Sequence, residues 1–216
     1  MVVKQTAESE VAIPVAGMTL HGRLSLPEGA PGVVLFAHGS GSGRHSPRNR
    51  FVSDVLNQAG LGTLLFDLLD PVEEQDRAAV FDIELLAGRL ASVTRWLRTR
   101  PAVRSGQLGY FGASTGAGAA LWAAADPDSR IAAVVSRGGR PDLAGERLRS
   151  VQAPTLLVVG GADELVLELN RRALRLLGGP NRLEVVPGAT HLFEEPGALS
   201  AVAQLARDWF LRHLGG

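Results

Sequence analysis

Short apolar runs alternate with stretches of helical periodicity along almost the whole chain. The runs occupy residues 32–37, 61–67, 106–112, 131–136, 155–160 and 182–187. Nearly continuous apolar strands, each followed by a helix, are typical of a parallel β-sheet covered by helices on both faces. Ligands of such sheets bind beyond the carboxyl ends of the strands. We therefore expect an α/β fold whose functional residues lie in the loops that follow the strands.

The segments between these runs complete the pattern. Helical spacing is found at residues 49–59, 80–99, 115–125, 143–150, 165–177 and 197–213. Residues 10–26 read as two antiparallel strands around a turn at Gly17, which would make the sheet a mixed one. No internal repeat, low-complexity tract or linker separates these elements, so we expect residues 1–216 to form a single domain.

Charge and composition exclude several classes of function. The 216 residues include 22 Lys and Arg and 22 Asp and Glu, so the formal net charge is zero and favours neither a nucleic acid nor an anionic membrane as partner. The absence of cysteine excludes disulfides, thiolate metal sites and a cysteine nucleophile. The five histidines are scattered and form no H-E-x-x-H motif, so we expect neither a metal nor another cofactor.

The sequence also carries expectations about location. The first residues, MVVKQTAESEVAIPV, lack a charged region followed by an apolar run of about 7–15 residues, so no signal peptide is expected. No uncharged apolar stretch reaches the roughly 18 residues needed to span a membrane. We expect a cytoplasmic protein.

The strand predicted at residues 106–112 leads into the sequence GASTG at residues 112–116, and a helix follows. This is the motif G-x-S-x-G in a strand–turn–helix context, in which a sharp turn exposes a serine hydroxyl above the sheet. Ser114 is therefore a candidate nucleophile. The alternative is an ordinary glycine-rich turn with a serine that caps the helix.

An acid and a base follow at the ends of later strands. Asp163 comes after the strand at residues 155–160, and His191 comes after the strand at residues 182–187. The chain order Ser114, Asp163, His191 is the one associated with this nucleophile turn. Imidazole can take the serine proton near neutral pH, and a carboxylate can hold its tautomer and stabilise the imidazolium.

Each of these residues has a simpler interpretation. Asp163 could be the N-cap of the following helix, and His191 could be a loop histidine next to the last helix. Asp142, after the strand at residues 131–136, is a rival for the acid. We prefer Asp163 because the loop between it and its strand is shorter.

The glycine-rich loop at residues 38–45 (HGSGSGRH) is a candidate for the oxyanion site. Acyl transfer creates an oxyanion that needs preorganised N–H donors, which would be the amides of Ser40 and Thr115. His38 is expected to orient this loop. A phosphate-binding loop is the alternative, but the G-x-x-x-x-G-K-S/T pattern is missing.

The His38-Gly39 pair, the GASTG turn, Asp163 and His191 together resemble the α/β-hydrolase fold superfamily, and the short chain is similar to its dienelactone-hydrolase-like branch. The resemblance spans about residues 10–213. It implies an eight-stranded, mostly parallel sheet and hydrolysis of esters or related acyl bonds through an acyl-enzyme. Dienelactone hydrolases proper use a cysteine nucleophile, whereas this chain has Ser114, which favours a plain serine esterase.

The loop after the strand at 131–136 bears on the substrate. Only 18 residues (137–154) separate this strand from the next, which leaves room for one short helix but not for a large lid. We expect an open, shallow site for short acyl esters or lactones. Arg137 and Arg140 in this loop are candidates for binding an anionic substrate group, and structural pairing with Asp142 or Glu146 is the alternative.

A second basic group, Arg44, His45, Arg48 and Arg50, is explained equally well by a solvated loop and helix start. The sequence therefore predicts a serine hydrolase whose partner is a small-molecule ester or lactone. Two alternatives stay open: a non-catalytic protein of the same fold that binds a ligand or partner, and an acyltransferase or perhydrolase that uses the same triad. The pattern does not specify an oligomeric state.

Overall fold

The computed structural model describes residues 6–103 and 106–215. Its strands are β1 (Thr6–Val15), β2 (Met18–Pro27), β3 (Gly32–Ala37), β4 (Gly62–Phe66), β5 (Gln107–Ala113), β6 (Ala133–Arg137), β7 (Thr155–Gly160) and β8 (Asn181–Val186). They form one eight-stranded sheet in the order β1-β2-β4-β3-β5-β6-β7-β8. The first three strands in this order pair antiparallel and all other neighbours pair parallel, as expected for the α/β-hydrolase fold.

Helices cover both faces of this sheet. They are α1 (Pro47–Gln58), α2 (Arg77–Phe81), α3 (Ile83–Arg98), α4 (Thr115–Ala124), α5 (Glu164–Leu174) and α6 (Ala198–Leu214). Helices α1 and α6 pack together on one face, while α3 and α4 pack together on the other. Within the described ranges, no helix is both long and apolar enough to cross a membrane.

The double covering explains why the sequence shows continuous apolar runs. Every residue of β3, β4, β6 and β7 is buried. Side chains alternate between the two faces of a strand, so a strand with helices on both sides needs apolar residues at nearly every position. The structure confirms the strands predicted from these runs. Since β3 to β8 are parallel, their carboxyl ends lie together at one edge of the sheet.

The turn between β1 and β2 follows from its two central residues. Ala16 and Gly17 both have positive φ, at 46° and 85°. Two successive positive φ values are typical of the tight hairpin turns whose twist matches that of antiparallel strands. The first five residues of the chain, which are part of the stretch used to predict that no signal peptide exists, lie outside the described residues.

Two predicted helices differ from the observed elements. The helix expected at residues 80–99 is split, because the Asp82 side chain accepts a hydrogen bond from the Leu85 amide at 2.9 Å and starts α3 anew. The helix expected at 143–150 is instead a 3-10 segment, Pro141–Ser150, interrupted at Gly145 by a φ of 54°. Apolar spacing alone revealed neither the new cap nor the glycine break.

The connection between β6 and β7 contains only this 3-10 segment. It packs against α4 and α5 instead of projecting over the carboxyl ends of the strands. The prediction that the fold carries no large lid is confirmed.

The packing of α6 on the sheet gives a test of the fold. Phe210 is fully buried, and its ring lies so close to β5 that a Cβ on Gly109 would stand 2.8 Å from Cε1. Phe210→Ala should lower the free energy of unfolding by about 3–5 kcal/mol, because it leaves a cavity in the core. Urea denaturation measures this change. The neighbouring Leu211, 38% exposed, is the matched control, and Leu211→Ala should cost less than about 1 kcal/mol.

Candidate active site

The turn between β5 and α4 holds Ser114 in an unusual backbone conformation. Its φ is 50° and its ψ is −121°, a region that residues with a side chain seldom occupy. The flanking glycines make this turn possible. A Cβ on Gly112 would lie 2.4 Å from Cα of Ala117, and one on Gly116 would lie 2.2 Å from the carbonyl oxygen of Ala37. Strand and helix therefore approach each other as closely as the motif predicts.

The end of β6 and the loop that follows it hold the backbone of Ser114 from both sides. The Ser114 amide donates to the carbonyl oxygen of Arg137 at 3.3 Å, and the Arg140 amide donates to the carbonyl oxygen of Ser114 at 3.0 Å. Between them, the Gly138 amide donates to the carbonyl oxygen of Val158 on β7 at 2.8 Å. The nucleophile turn is thus held by β6 and its loop, and this loop is in turn bonded to β7.

Asn170 supports the same loop and was missed by the sequence analysis. This fully buried side chain on α5 donates from Nδ2 to the carbonyl oxygens of Gly139 at 2.9 Å and Val166 at 2.7 Å. It therefore links the helix that follows Asp163 to the loop that holds Ser114. The available signal was a polar residue among the apolar positions of an amphipathic helix.

Asp163 and His191 are hydrogen-bonded to each other. Nδ1 of His191 lies 2.7 Å from Oδ2 of Asp163, across the loops that follow β8 and β7. Asp163 does occupy the N-cap position of α5, but its side chain makes no capping hydrogen bond. When Nδ1–H donates to the carboxylate, Nε2 of the neutral ring is free to accept a proton.

The imidazole lies beside the loop that holds the nucleophile turn. A Cβ on Gly138 would stand 3.6 Å from Cε1 of His191. Gly138 directly follows Arg137, whose carbonyl oxygen accepts the hydrogen bond from the Ser114 amide. Gly138 has a φ of 50°, so glycine suits this close approach. Among the described side chains, no hydrogen bond joins the Ser114 hydroxyl to His191. Catalytic hydrogen bonds of this kind often tighten only when substrate binds.

The rival acid is engaged elsewhere. Asp142 accepts two hydrogen bonds from Arg140, at 2.9 and 2.7 Å, which is the structural pairing that the sequence left open. The pairing raises the pKa of Arg140. Glu146, the other proposed partner, pairs with Arg149. Arg137 differs, since the described residues give it no acidic partner.

The two predicted oxyanion donors are neighbours. The Ser40 amide donates to Oγ1 of Thr115 at 3.0 Å. Thr115 is the first residue of α4, and the first amides of a helix have no acceptor within the helix. Both amides are therefore close to the Ser114 turn, although an oxyanion would have to take the Ser40 donor from the threonine hydroxyl.

His38 fixes the loop that carries Ser40. Its Nε2 accepts a hydrogen bond from the Leu68 amide at 2.9 Å, so the neutral ring carries its proton on Nδ1, which lies 3.0 Å from the carbonyl oxygen of Gly39. Burial lowers the pKa of His38, because the charged form would lose its hydration. These contacts agree with the orienting role expected from the sequence.

A cavity of about 510 Å³ adjoins Thr115 and the glycine-rich loop. The glycine-rich loop, the start of α1, Asp67 and Glu74 form its polar side. Its apolar side consists of Leu69, Pro71, Val80 and Leu86. This volume falls within the usual range of small-molecule sites. In the described ranges, no three acidic or histidine side chains are grouped to hold a metal ion.

Comparison with known proteins identifies the family of this chain. A sequence model of the dienelactone hydrolase family matches residues 20–214. A putative phosphoribosyl transferase of Mycobacterium tuberculosis is 63% identical over 209 residues, which make up 97% of this chain and 47% of that protein. The chain therefore spans about half the length of this curated relative.

Solved structures show the same similarity. The crystal structure of a dienelactone hydrolase from Anabaena variabilis superposes with a TM-score of 0.94 at 56% identity, covering 97% of this chain and 99% of the other. Est1E from Butyrivibrio proteoclasticus has a TM-score of 0.82 at 16% identity, covering 96% of this chain and 99% of the other. At that identity the second comparison shows the shared fold alone.

The crowding around the Ser114 turn gives a matched pair of glycine substitutions. Gly116→Ala should lower the free energy of unfolding by about 1–3 kcal/mol or more, since its Cβ would press on the backbone of β3. Gly88 lies in α3 with nothing within 4 Å of its Cβ position. Gly88→Ala should instead stabilise the protein by about 0.4–1 kcal/mol. Thermal unfolding measures the change in stability of both variants. Equal changes would contradict the close approach of α4 to β3 at Gly116.

The lowered pKa of His38 predicts a pH dependence of stability. Above the ordinary value of 6.5, the ring is neutral in both the folded and the unfolded chain. As the pH falls below it, only the unfolded chain takes up the proton, so the free energy of unfolding decreases by up to about 1.4 kcal/mol per pH unit. His38→Asn should show a shallower decrease between about pH 7 and pH 5 in denaturant titrations. The exposed His21 serves as control, and His21→Asn should follow the wild-type curve.

Proposed function

This chain belongs to the dienelactone hydrolase family, and we propose that it is a serine hydrolase that cleaves carboxylic esters or lactones with short acyl groups. The family itself supports hydrolase activity. The observation that carries the finer proposal is the 2.7 Å hydrogen bond between His191 and Asp163 at the sheet edge that also holds Ser114. A base oriented by an acid next to a strained serine is the arrangement that acyl transfer requires.

In the acylation half-reaction, Nε2 of His191 takes the hydroxyl proton of Ser114 while Oγ attacks the carbonyl carbon of the ester. Asp163 holds the ring by its Nδ1–H and stabilises the imidazolium. The carbonyl oxygen becomes an oxyanion, for which the amides of Ser40 and Thr115 are the proposed donors. The tetrahedral intermediate then expels the alkoxide, which receives the proton from Nε2, and an acyl-enzyme remains.

In the deacylation half-reaction, water replaces the alcohol. Nε2 of His191 takes a proton from the water as its oxygen attacks the acyl carbon, and the same two amides stabilise the new oxyanion. The bond to Oγ breaks and Ser114 regains its proton. The acid is released and the free enzyme is restored. With a lactone, acid and alcohol leave as parts of one hydroxy acid.

The size of the substrate follows from the surroundings of Ser114. The connection from β6 to β7 forms no lid over the site, and the adjoining cavity of about 510 Å³ has one apolar side. This volume supports a small acyl or alcohol group, whereas a long lipid chain would need a longer apolar channel.

The name of the Mycobacterium relative concerns a different reaction. The part shared with this chain is 209 residues, or 47% of that protein, and it coincides with the hydrolase-family match. We infer that the phosphoribosyl transferase name refers to the remaining half of the relative. Purified chain should accordingly hydrolyse esters without consuming phosphoribosyl diphosphate.

The proposal predicts that activity depends on one hydroxyl. Ser114→Ala should lower kcat for p-nitrophenyl acetate by at least about 1000-fold, because no other group can form the acyl-enzyme. Initial rates of p-nitrophenol release measure the change, and a fluorophosphonate adduct located by peptide mass spectrometry identifies the modified serine. Ser150, exposed on the 3-10 segment, provides a matched control, and Ser150→Ala should retain wild-type activity.

The other outcomes separate the alternatives. Turnover that survives in Ser114→Ala would contradict the proposed nucleophile. A chain that hydrolyses no ester and forms no adduct would fit a non-catalytic binding protein. An adduct on Ser114 combined with faster acyl transfer to an added alcohol or to peroxide than to water would indicate an acyltransferase or perhydrolase.

A further inference from the structure

Arg137 is a buried charge without a partner. It is the last residue of β6 and only 8% exposed, yet the described residues provide no salt bridge or side-chain hydrogen bond for its guanidinium. Nη1 in particular is shielded from solvent and unpaired. Arginine is almost never buried in this way unless it is paired, because the lost hydration is not replaced.

The surroundings of Arg137 favour an anion. Burial, followed by the nearby positive charge of Arg48, lowers the pKa of Arg137 to about 10, so the group is still charged at neutral pH. Arg48 stands in the first turn of α1, which contains no acidic residue. Its acidic partner is the exposed Glu194, at a distance of 3.4 Å. Arg48 is therefore paired with one solvated carboxylate, whereas Arg137 has no acidic partner among the described residues. Of the two carboxylates that line the cavity together with Arg48, Asp67 is paired with Arg44, and Glu74 is the other.

The position of Arg137 relates this positive charge to Ser114. Arg137 pairs with Ala113 across neighbouring strands, and its carbonyl accepts a hydrogen bond from the amide of the next residue, Ser114. Adjacent side chains of a strand point to opposite faces. Since Ser136 faces Gly139 and the start of α4, Arg137 projects toward the face of α1 and α6, where Arg48 also lies.

Arg140 provides the contrast within the same loop. Both oxygens of Asp142 accept hydrogen bonds from its guanidinium, so its charge is already balanced. Of the two arginines singled out in the sequence, only Arg137 lacks a carboxylate partner among the described residues. Arg48, which also borders the cavity next to Thr115, takes the place of Arg140 as the second basic residue.

We propose that Arg137 and Arg48 form a subsite for an anionic group, a carboxylate or a phosphate, carried by the ester whose acyl group is transferred to Ser114. This inference rests on the proposed function. The anion would accept hydrogen bonds from the guanidinium groups and supply the negative charge that the buried Arg137 lacks. The preferred substrates are then acidic esters, and neutral esters of the same length are poorer ones.

The test compares two p-nitrophenyl esters of equal chain length, the acidic hemisuccinate and the neutral butyrate. Arg137→Met should lower the ratio of kcat/KM for the hemisuccinate to kcat/KM for the butyrate by about 10- to 100-fold, mainly through KM for the hemisuccinate. Arg48→Met should shift the same ratio in the same direction. Arg149, exposed and paired with Glu146, is the matched control, and Arg149→Met should leave the ratio unchanged.

Ligand binding without turnover provides a second measurement. Inorganic phosphate and succinate are added separately to the wild-type chain in thermal unfolding, and the anion that raises Tm identifies which group the subsite takes. The shift should disappear in Arg137→Met. That variant should itself be at least as stable as wild type without ligand, because it removes an unpaired buried charge.

An unchanged ratio of hemisuccinate to butyrate turnover in both arginine variants would overturn the proposal. So would the absence of a Tm shift with either anion. If Arg137→Met does not fold, Arg137→Lys and Arg48→Met carry the test, with the ratio falling for each if the proposal holds. Failure of the proposed function is a separate result, since butyrate turnover would then survive in Ser114→Ala.

Discussion

The strained turn at Ser114 depends on how closely β5 and α4 approach each other. No side chain fits at Gly112 or Gly116, and the backbone of Ser114 is held on both sides by the end of β6 and the loop after it. A residue kept at positive φ costs free energy that the surrounding structure must offset. Here the offset comes from the pairing of β5 with β6 and from the burial of the small-residue helix α4. The hydroxyl of Ser114, the proposed nucleophile, is therefore positioned by the centre of the sheet.

The remaining candidate residues reach this turn from loops at the same sheet edge. Asp163 and His191 follow β7 and β8, and the Ser40 loop follows β3. Because parallel strands bring their carboxyl ends together, residues far apart in sequence become neighbours without any long connection. Asn170 adds a direct link, since it ties the helix after Asp163 to the loop that clamps Ser114.

The sequence predicted the features that depend on regular patterns. Continuous apolar runs identify strands buried on both faces, and the chain order of Ser114, Asp163 and His191 agrees with residues that the structure brings to one edge. It did not predict the break at Asp82, because a cap depends on one side-chain hydrogen bond that apolar spacing does not reveal. The pairing of Arg140 with Asp142 stayed open for the same reason. The cytoplasmic location stays a prediction.

The hydrogen bond from the Ser40 amide to the Thr115 hydroxyl has a consequence for how binding energy would be used. A neutral ester carbonyl is an acceptor of about the same strength as that hydroxyl, so exchanging one for the other in the bound substrate gains little. A full negative charge is a much stronger acceptor and would displace the Thr115 hydroxyl as the acceptor of the Ser40 amide. Under the proposed mechanism, part of the binding energy is thereby realised only when charge develops on the oxygen, which favours the transition state over the substrate.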